Sequence, residues 1–293
     1  MRYKLLLALI AACASCAGRV HAYDGYFDSK GVKIHYVTAG EGEPVVLIHG
    51  WMGDSTMWGR RDASGNVQLD PSPGFEAIAL DCRGHGKSGK PHDPGMYGIE
   101  MAEDVVRLLD YLKIKKAHLI GYSMGAFIAG KVAASHPERV LSVVYGGQAP
   151  ILAGQSSTGS NEVKVFAKAV DEGKGLGAYI LYVWPADKPK PTMEQANSIA
   201  DFMVRGKDAK ALALAGLSLG DLAVKPEDLS RGKAPCLFIY GEKESAYVTN
   251  SVAAARKFLV GSEVKVVPGG DHISTLVKPE FAASILAFLK AHK

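Results

Sequence analysis

Cysteine is scarce in this chain, four among 293 residues, and that excludes a small scaffold stapled by disulfides. An unbroken membrane helix needs about 20 apolar residues; the apolar run at residues 5–12 is roughly half that. An excess of one charge is missing too. Lys and Arg number 34 against 30 Asp and Glu, a formal net charge of +4, and no basic patch suited to nucleic acid stands out. Charged residues make up 22% and apolar ones 47%, with no long stretch of low hydrophobicity and high net charge, so a mainly disordered chain is excluded. No internal repeat or low-complexity tract is visible. What is left is a globular protein, long enough for one large core with an insertion.

The first 22 residues stand apart. Arg2 and Lys4 form a positive start, residues 5–12 an apolar segment, and Val20-His21-Ala22 a small-residue cleavage site, which together predict a signal peptide over residues 1–22 and export to the periplasm or medium. Ile10-Ala11-Ala12-Cys13 also resembles the lipid-attachment box of bacterial lipoproteins, so a mature chain anchored through a lipidated Cys13 is the alternative. Cleavage after Ala22 removes three cations and no acid, taking the charge from +4 to +1. Cys82 and Cys236 then remain.

Short runs rich in Val, Ile and Leu recur at residues 32–38, 44–48, 75–80, 117–120, 141–145, 235–240 and 263–267. Several are separated by helix-length segments, the pattern of a mostly parallel sheet covered on both faces. Helical spacing places Val105, Leu108, Leu109 and Leu112 on one face over residues 99–112, and residues 124–135 and 281–290 also read as helices. Residues 151–229 break the alternation: four helical segments, at 161–171, 176–183, 192–204 and 207–219, predict an inserted helical cap with loop-like flanks at 154–159 and Lys225-Pro226. The core then comprises residues 23–150 and 230–293. Residues 59–74 read as a polar loop of little periodicity. In this α/β arrangement Cys82 leaves one strand and Cys236 enters a non-neighbouring one, too far apart to pair.

Chemistry concentrates at Gly121-Tyr122-Ser123-Met124-Gly125, between a strand and a helix. This is G-x-S-x-G in the context it needs: a strained turn raising Ser123 to the sheet edge, at a helix N-terminus that favours developing negative charge. A serine needs a base to take its proton, and His272, in the Gly269-Gly270-Asp271-His272 loop after the final strand, is the candidate. The acid that orients the imidazole should follow the penultimate strand. Glu244 is chosen, three residues past Gly241, with Glu242 the alternative. Oxyanion donors are expected from the backbone N–H of Met124 and, in the loop His49-Gly50-Trp51-Met52, from that of Trp51. The Trp51 side chain either lines the pocket or belongs to the core. His35, His92, His118, His136 and His292 read as packing or surface histidines.

Taken together these residues resemble the α/β-hydrolase superfamily over most of the chain outside the leader and the cap. Asp81-Cys82-Arg83-Gly84-His85-Gly86-Lys87-Ser88 is similar to that family's D-x-R-G-x-G-x-S turn, and Pro279-Glu280-Phe281 also fits. The resemblance implies that the turn is structural, leaving Asp81 and His85 outside the catalytic set. Most single-domain relatives carry Asp where this chain has Glu244. Dehalogenases and epoxide hydrolases of the fold use Asp at the elbow, so Ser123 points instead to carboxylic ester hydrolysis through an acyl-enzyme. Carbon–carbon bond hydrolysis, perhydrolase and acyltransferase chemistry are the alternatives on the same site, and a non-catalytic ligand-binding member is the alternative of another class. No metal or organic cofactor is required, and the partner expected is a small-molecule ester. Tyr179, Tyr182, Trp184, Phe202 and Met203 of the cap form either an apolar acyl pocket or the cap's own core.

Overall fold

The computed structural model describes residues 23–61, 67–69, 71–154, 161–185 and 188–293. The leader, with Cys13, lies outside the described residues, as do residues 155–160 at the first flank of the insertion. Among the described residues no helix is long and apolar enough to cross a membrane.

In chain order the strands are β1 (Tyr23–Ser29), β2 (Val32–Gly40), β3 (Gly42–Ile48), β4 (Gly59–Arg61), β5 (Val67–Leu69), β6 (Gly74–Leu80), β7 (Ala117–Tyr122), β8 (Val140–Gly146), β9 (Cys236–Gly241) and β10 (Glu263–Val267). Eight of them make one sheet in the order β1-β2-β6-β3-β7-β8-β9-β10. β2 is antiparallel to β1 and β6, and every pairing from β6 to β10 is parallel. The helices are α1 (Ile99–Tyr111), α2 (Met124–Ser135), α3 (Asn161–Glu172), α4 (Gly177–Val183), α5 (Met193–Met203), α6 (Ala209–Leu217), α7 (Pro226–Arg231), α8 (Ala246–Arg256) and α9 (Pro279–Ala291).

Alternation along the strands builds two apolar layers. Val46 and Ile48 of β3 join Val105, Leu108 and Leu109 of α1 and Ile128 and Val132 of α2. Val45 and Leu47 face the opposite side, with Phe281, Ile285 and Phe288 of α9. Each such side chain taken out of water contributes about 1.5–3 kcal/mol. The seven apolar runs therefore appear as strands of one sheet. Cys82 and Cys236 are free and buried, on β6's exit and β9's entrance, with three strands between.

Parallel register sets the functional edge. Ile48 pairs with both Leu80 and Gly121, and Gly241 with Val267, so the segments after β3, β6, β7, β9 and β10 all leave the sheet at one end, where ligands bind in open α/β sheets. Helices α3 to α7 lie between β8 and β9. The excursion is pinched at its neck by Val224 N–H to the Ile151 carbonyl and Ala153 N–H to the Val224 carbonyl, both 2.8 Å. Beyond the neck a separate apolar cluster forms from Phe166, Tyr179, Ile180, Ala200 and Leu212.

Three expectations are corrected. The stretch at residues 59–74 contains β4 and β5, paired antiparallel in a small second sheet, and its few apolar side chains, Val67 and Leu69, are buried in the apolar layer on the α9 side of the main sheet. Lys225-Pro226 is no loop: proline's fixed φ suits a first helical position, and Pro226 opens α7, whose Leu229 joins the main core. The segment at 207–219 is an α-helix only to Leu217, continuing as a 3-10 turn over Ser218–Leu222.

Candidate active site

Ser123 sits between β7 and α2 with φ 54° and ψ −115°, a region that costs a non-glycine residue of order 1–3 kcal/mol. Its N–H donates to the Gly146 carbonyl of β8 at 2.8 Å, which holds the strained turn against the neighbouring strand. The flanking glycines are steric necessities. A Cβ on Gly121 would overlap the Gly125 carbonyl, and one on Gly125 would overlap the carbonyl of Ile48.

Glu244 arrives from the loop after β9 and His272 from the loop after β10. His272 Nε2 is 3.0 Å from Ser123 Oγ, and Nδ1 is 2.7 Å from Glu244 Oε1. A carboxylate only accepts, so Nδ1 carries the proton and Nε2 presents a lone pair to the serine hydroxyl. The Glu244 side chain is 3% exposed and that of His272 37%; the acid is shielded while the imidazole faces the site. The two loops touch through backbone: Lys243 N–H donates to the Gly270 carbonyl at 2.7 Å, an approach that a side chain on Gly241 would block. Glu242 is elsewhere, its Oε2 accepting from Gly269 N–H at 2.8 Å.

Sequence reasoning passed over Tyr122. Its hydroxyl donates to the His272 carbonyl at 2.6 Å, and its ring lies 5.5 Å from the imidazole and 5.7 Å from Phe281. Burial, with Glu244 and Asp271 nearby, pushes the phenol's pKa up, which keeps the donor proton in place. Only a tertiary contact reveals this role, since the second position of the elbow motif carries no fixed residue.

The segment after β3 turns tightly, Gly53 N–H reaching the Gly50 carbonyl at 2.9 Å, with Met52 in the left-handed region at φ 62°. Gly50 lies against Ser123: a Cβ there would stand 3.3 Å from the serine Cβ. His49 fixes the turn from behind. Its Nδ1–H donates to the Gly50 carbonyl at 2.8 Å and its Nε2 accepts from Cys82 N–H at 3.0 Å; full burial pushes its pKa down, which keeps the ring neutral as that pairing requires. Trp51 Nε1 donates to the Leu212 carbonyl at 2.9 Å, and its ring meets Phe166 and Tyr179 edge-on at 5.2 and 6.2 Å. The tryptophan thus joins the turn to the cluster of the helical insertion. Lys207, also unflagged by sequence, donates to the Met52 carbonyl at 2.9 Å. Met124 opens α2, so its N–H is among those a helix leaves without an internal partner.

Of the five residues noted in the insertion, Tyr179 is buried in its cluster and Trp184 and Met203 pack against it, whereas Tyr182 and Phe202 stand 51% and 72% exposed. Asp81 accepts from Ser55 N–H and Lys87 N–H, both at 2.7 Å, and bonds His35 Nδ1 at 2.8 Å. It is tied into the scaffold, away from Ser123. Among the described residues no His, Cys, Asp or Glu group is clustered so as to hold a metal ion.

Comparison with known proteins gives a consistent picture. A family model described as alpha/beta hydrolase fold matches residues 43–173. The dihydrolipoyllysine-residue acetyltransferase component of the acetoin cleaving system of Pseudomonas putida is 30% identical over 262 residues, 86% of this chain, which spans 64% of that relative's length. The 2-(acetamidomethylene)succinate hydrolase of Mesorhizobium japonicum is 27% identical, with 87% of this chain and 92% of the relative covered. Among solved structures, an esterase from Exiguobacterium antarcticum superposes with a TM-score of 0.70 at 22% identity, covering 92% of this chain and all of the other. At that identity the likeness is one of fold.

Proposed function

By its fold the chain is a member of the α/β-hydrolase superfamily, and on that premise we propose that it is a serine hydrolase that cleaves a carboxylic ester through an acyl-enzyme on Ser123. The observation that carries this reading is the unbroken line from Ser123 Oγ to His272 Nε2 at 3.0 Å and from His272 Nδ1 to Glu244 at 2.7 Å. His272 takes the serine proton as Oγ attacks the ester carbonyl, and the imidazolium is held by Glu244. The oxyanion accepts hydrogen bonds from the backbone N–H groups of Met124 and Trp51, each worth on the order of 3 kcal/mol in the barrier. The proton then passes from Nε2 to the departing alkoxide, and a water molecule repeats attack and release to regenerate Ser123.

Labelling with a fluorophosphonate tests the reading. Ser123 is expected to be modified in the folded protein, and the Ser123→Ala and His272→Ala proteins to stay unlabelled. A folded protein whose Ser123 does not react would be a binding member of the fold. Aryl and alkyl esters of graded acyl length, assayed beside an amide, a lactone, a carbon–carbon hydrolase substrate and an acyl-transfer acceptor, then rank the chemistries. Turnover highest on esters is the outcome expected.

A further inference from the structure

A cavity of about 320 Å³ lies against the turn of residues 50–53, and Ser123, His272 and Glu244 are not among its lining residues. Met52 and Gly53 form part of its wall, the segment after β6 contributes His85, Lys87 and Lys90, and the helical insertion contributes Arg205 and Lys207. Four cationic side chains therefore line it together with two acids, Asp54 and Asp81; of the four, Lys87 is paired with Asp24 at 2.9 Å, which leaves Lys90, Arg205 and Lys207 for a ligand. Asp81 is engaged by the Ser55 and Lys87 amides and by His35, and Asp54 accepts from Thr56 N–H at 2.9 Å. Lys90 Nζ donates to the carbonyls of Gly86 and Ser88, and an ammonium has three donors, so one remains. The Arg205 guanidinium lies 5.4 Å from the Phe202 ring, an arrangement that leaves in-plane donors to offer.

His85 adds a second requirement. It is buried, with Nδ1 3.0 Å from the Arg83 carbonyl. A carbonyl only accepts, so the proton is on Nδ1 and Nε2 is a bare lone pair. Burial pushes the pKa of His85 down to about 3, so the ring is neutral at ordinary pH. Yet Nε2 is buried without a hydrogen-bond partner, a state that buried polar atoms rarely keep. The cations ask for an anion and Nε2 asks for a donor.

We propose that this cavity is a second binding site, separate from Ser123, for a small oxyanion that also carries a hydroxyl: a hydroxycarboxylate or hydrogen phosphate. The charged oxygens meet Lys90, Arg205 and Lys207; ligand entry uncovers His85 Nε2, which is closed to solvent in the free protein, and the hydroxyl donates to it. Neither step depends on the hydrolase reading.

Full-length protein titrated with glycolate, with inorganic phosphate near pH 6 and with acetate, followed by calorimetry and by the His85 ring-nitrogen resonances, tests the site. Glycolate or phosphate is expected to bind and to shift the Nε2 signal; whichever binds more tightly identifies the oxyanion. Acetate, which lacks the hydroxyl, is expected to bind roughly fivefold more weakly, the loss of one hydrogen bond. The pair Lys90→Ala and Arg205→Ala is expected to weaken binding by about tenfold or more, and added NaCl to weaken it further. Binding of none of the three, equal binding of acetate, indifference to the double substitution, or displacement of the anion when Ser123 is labelled would each overturn the proposal. Failure of Ser123 to label, with phosphate or glycolate still bound, would sink the hydrolase reading alone.

Discussion

Glu242 and Glu244 leave the same strand two residues apart, yet their carboxylates have different partners. Glu244 meets the imidazole, while Glu242 holds the backbone of the His272 loop at Gly269. Glu244→Gln is therefore expected to lower kcat on an ester by about 10²–10⁴-fold, since the amide no longer enforces the tautomer or stabilises the imidazolium. Glu242→Gln keeps an oxygen that can accept from Gly269 and should cost less than about tenfold, within the 1.36 kcal/mol that a tenfold rate change represents. Equal, small losses in steady-state kinetics would remove Glu244 from the line. At this scale the sequence was informative where chemistry is local. Ser123 is framed by two obligatory glycines, and His272 follows the final strand. Tyr122 and Lys207 were silent because their partners lie 150 and 155 positions away.

Elements are joined at the functional edge by buried charge as well as by apolar packing. Arg83, in the segment after β6, reaches α1 through two bonds to Asp104, Nε to Oδ2 at 2.7 Å and Nη2 to Oδ1 at 2.6 Å, and donates Nη1 to the Met96 carbonyl. Ser29 of β1 also donates to Asp104. Burial pushes the Asp104 carboxyl up even with Arg83 on it, the mark of a pair whose attraction does not fully offset its desolvation. Breaking such a pair from one side strands a charge and costs about 3–5 kcal/mol. Arg83→Met is expected to lower the urea-derived unfolding free energy by that amount, and Arg83→Met with Asp104→Leu by clearly less. A double substitution as costly as the single one would argue against a stranded charge. Helical spacing made α1 and α2 readable. By contrast α8 escaped notice, because its buried face is only Val248, Val252 and Ala255, set among Ser, Thr, Asn and Ala.

Over the whole molecule, one histidine ties the antiparallel edge of the sheet to its functional end. His35 of β2 is fully buried, Nδ1 on Asp81 and Nε2 on Asp24 of β1, each at 2.8 Å. Burial opposes its charge, but the two carboxylates outweigh that and its pKa is raised. Asp81 is held well below the usual carboxylate range, burial again being outweighed, here by His35 and the amides around it. A raised histidine stabilises the fold fully below its ordinary value near 6.5 and loses that contribution as pH climbs through the raised one. A depressed carboxylate contributes fully above about 3.9 and loses its share as pH falls through the depressed value. The stability difference between the native protein and His35→Gln, from denaturant unfolding across pH, should then be largest between about 4 and 6.5 and shrink on both sides; a flat difference would refute the linkage. No motif announced this network. Composition and alternation determined that the chain builds a parallel sheet clothed by helices, and the elbow determined where Ser123 stands, because strand and turn preferences act over a few residues. Tertiary structure alone decided that Glu244 rather than Glu242 meets His272, that Trp51 bridges to the helical insertion, and that His35 and Arg83 carry buried charge. Those outcomes depend on distances between segments far apart in the chain, which local preferences do not encode.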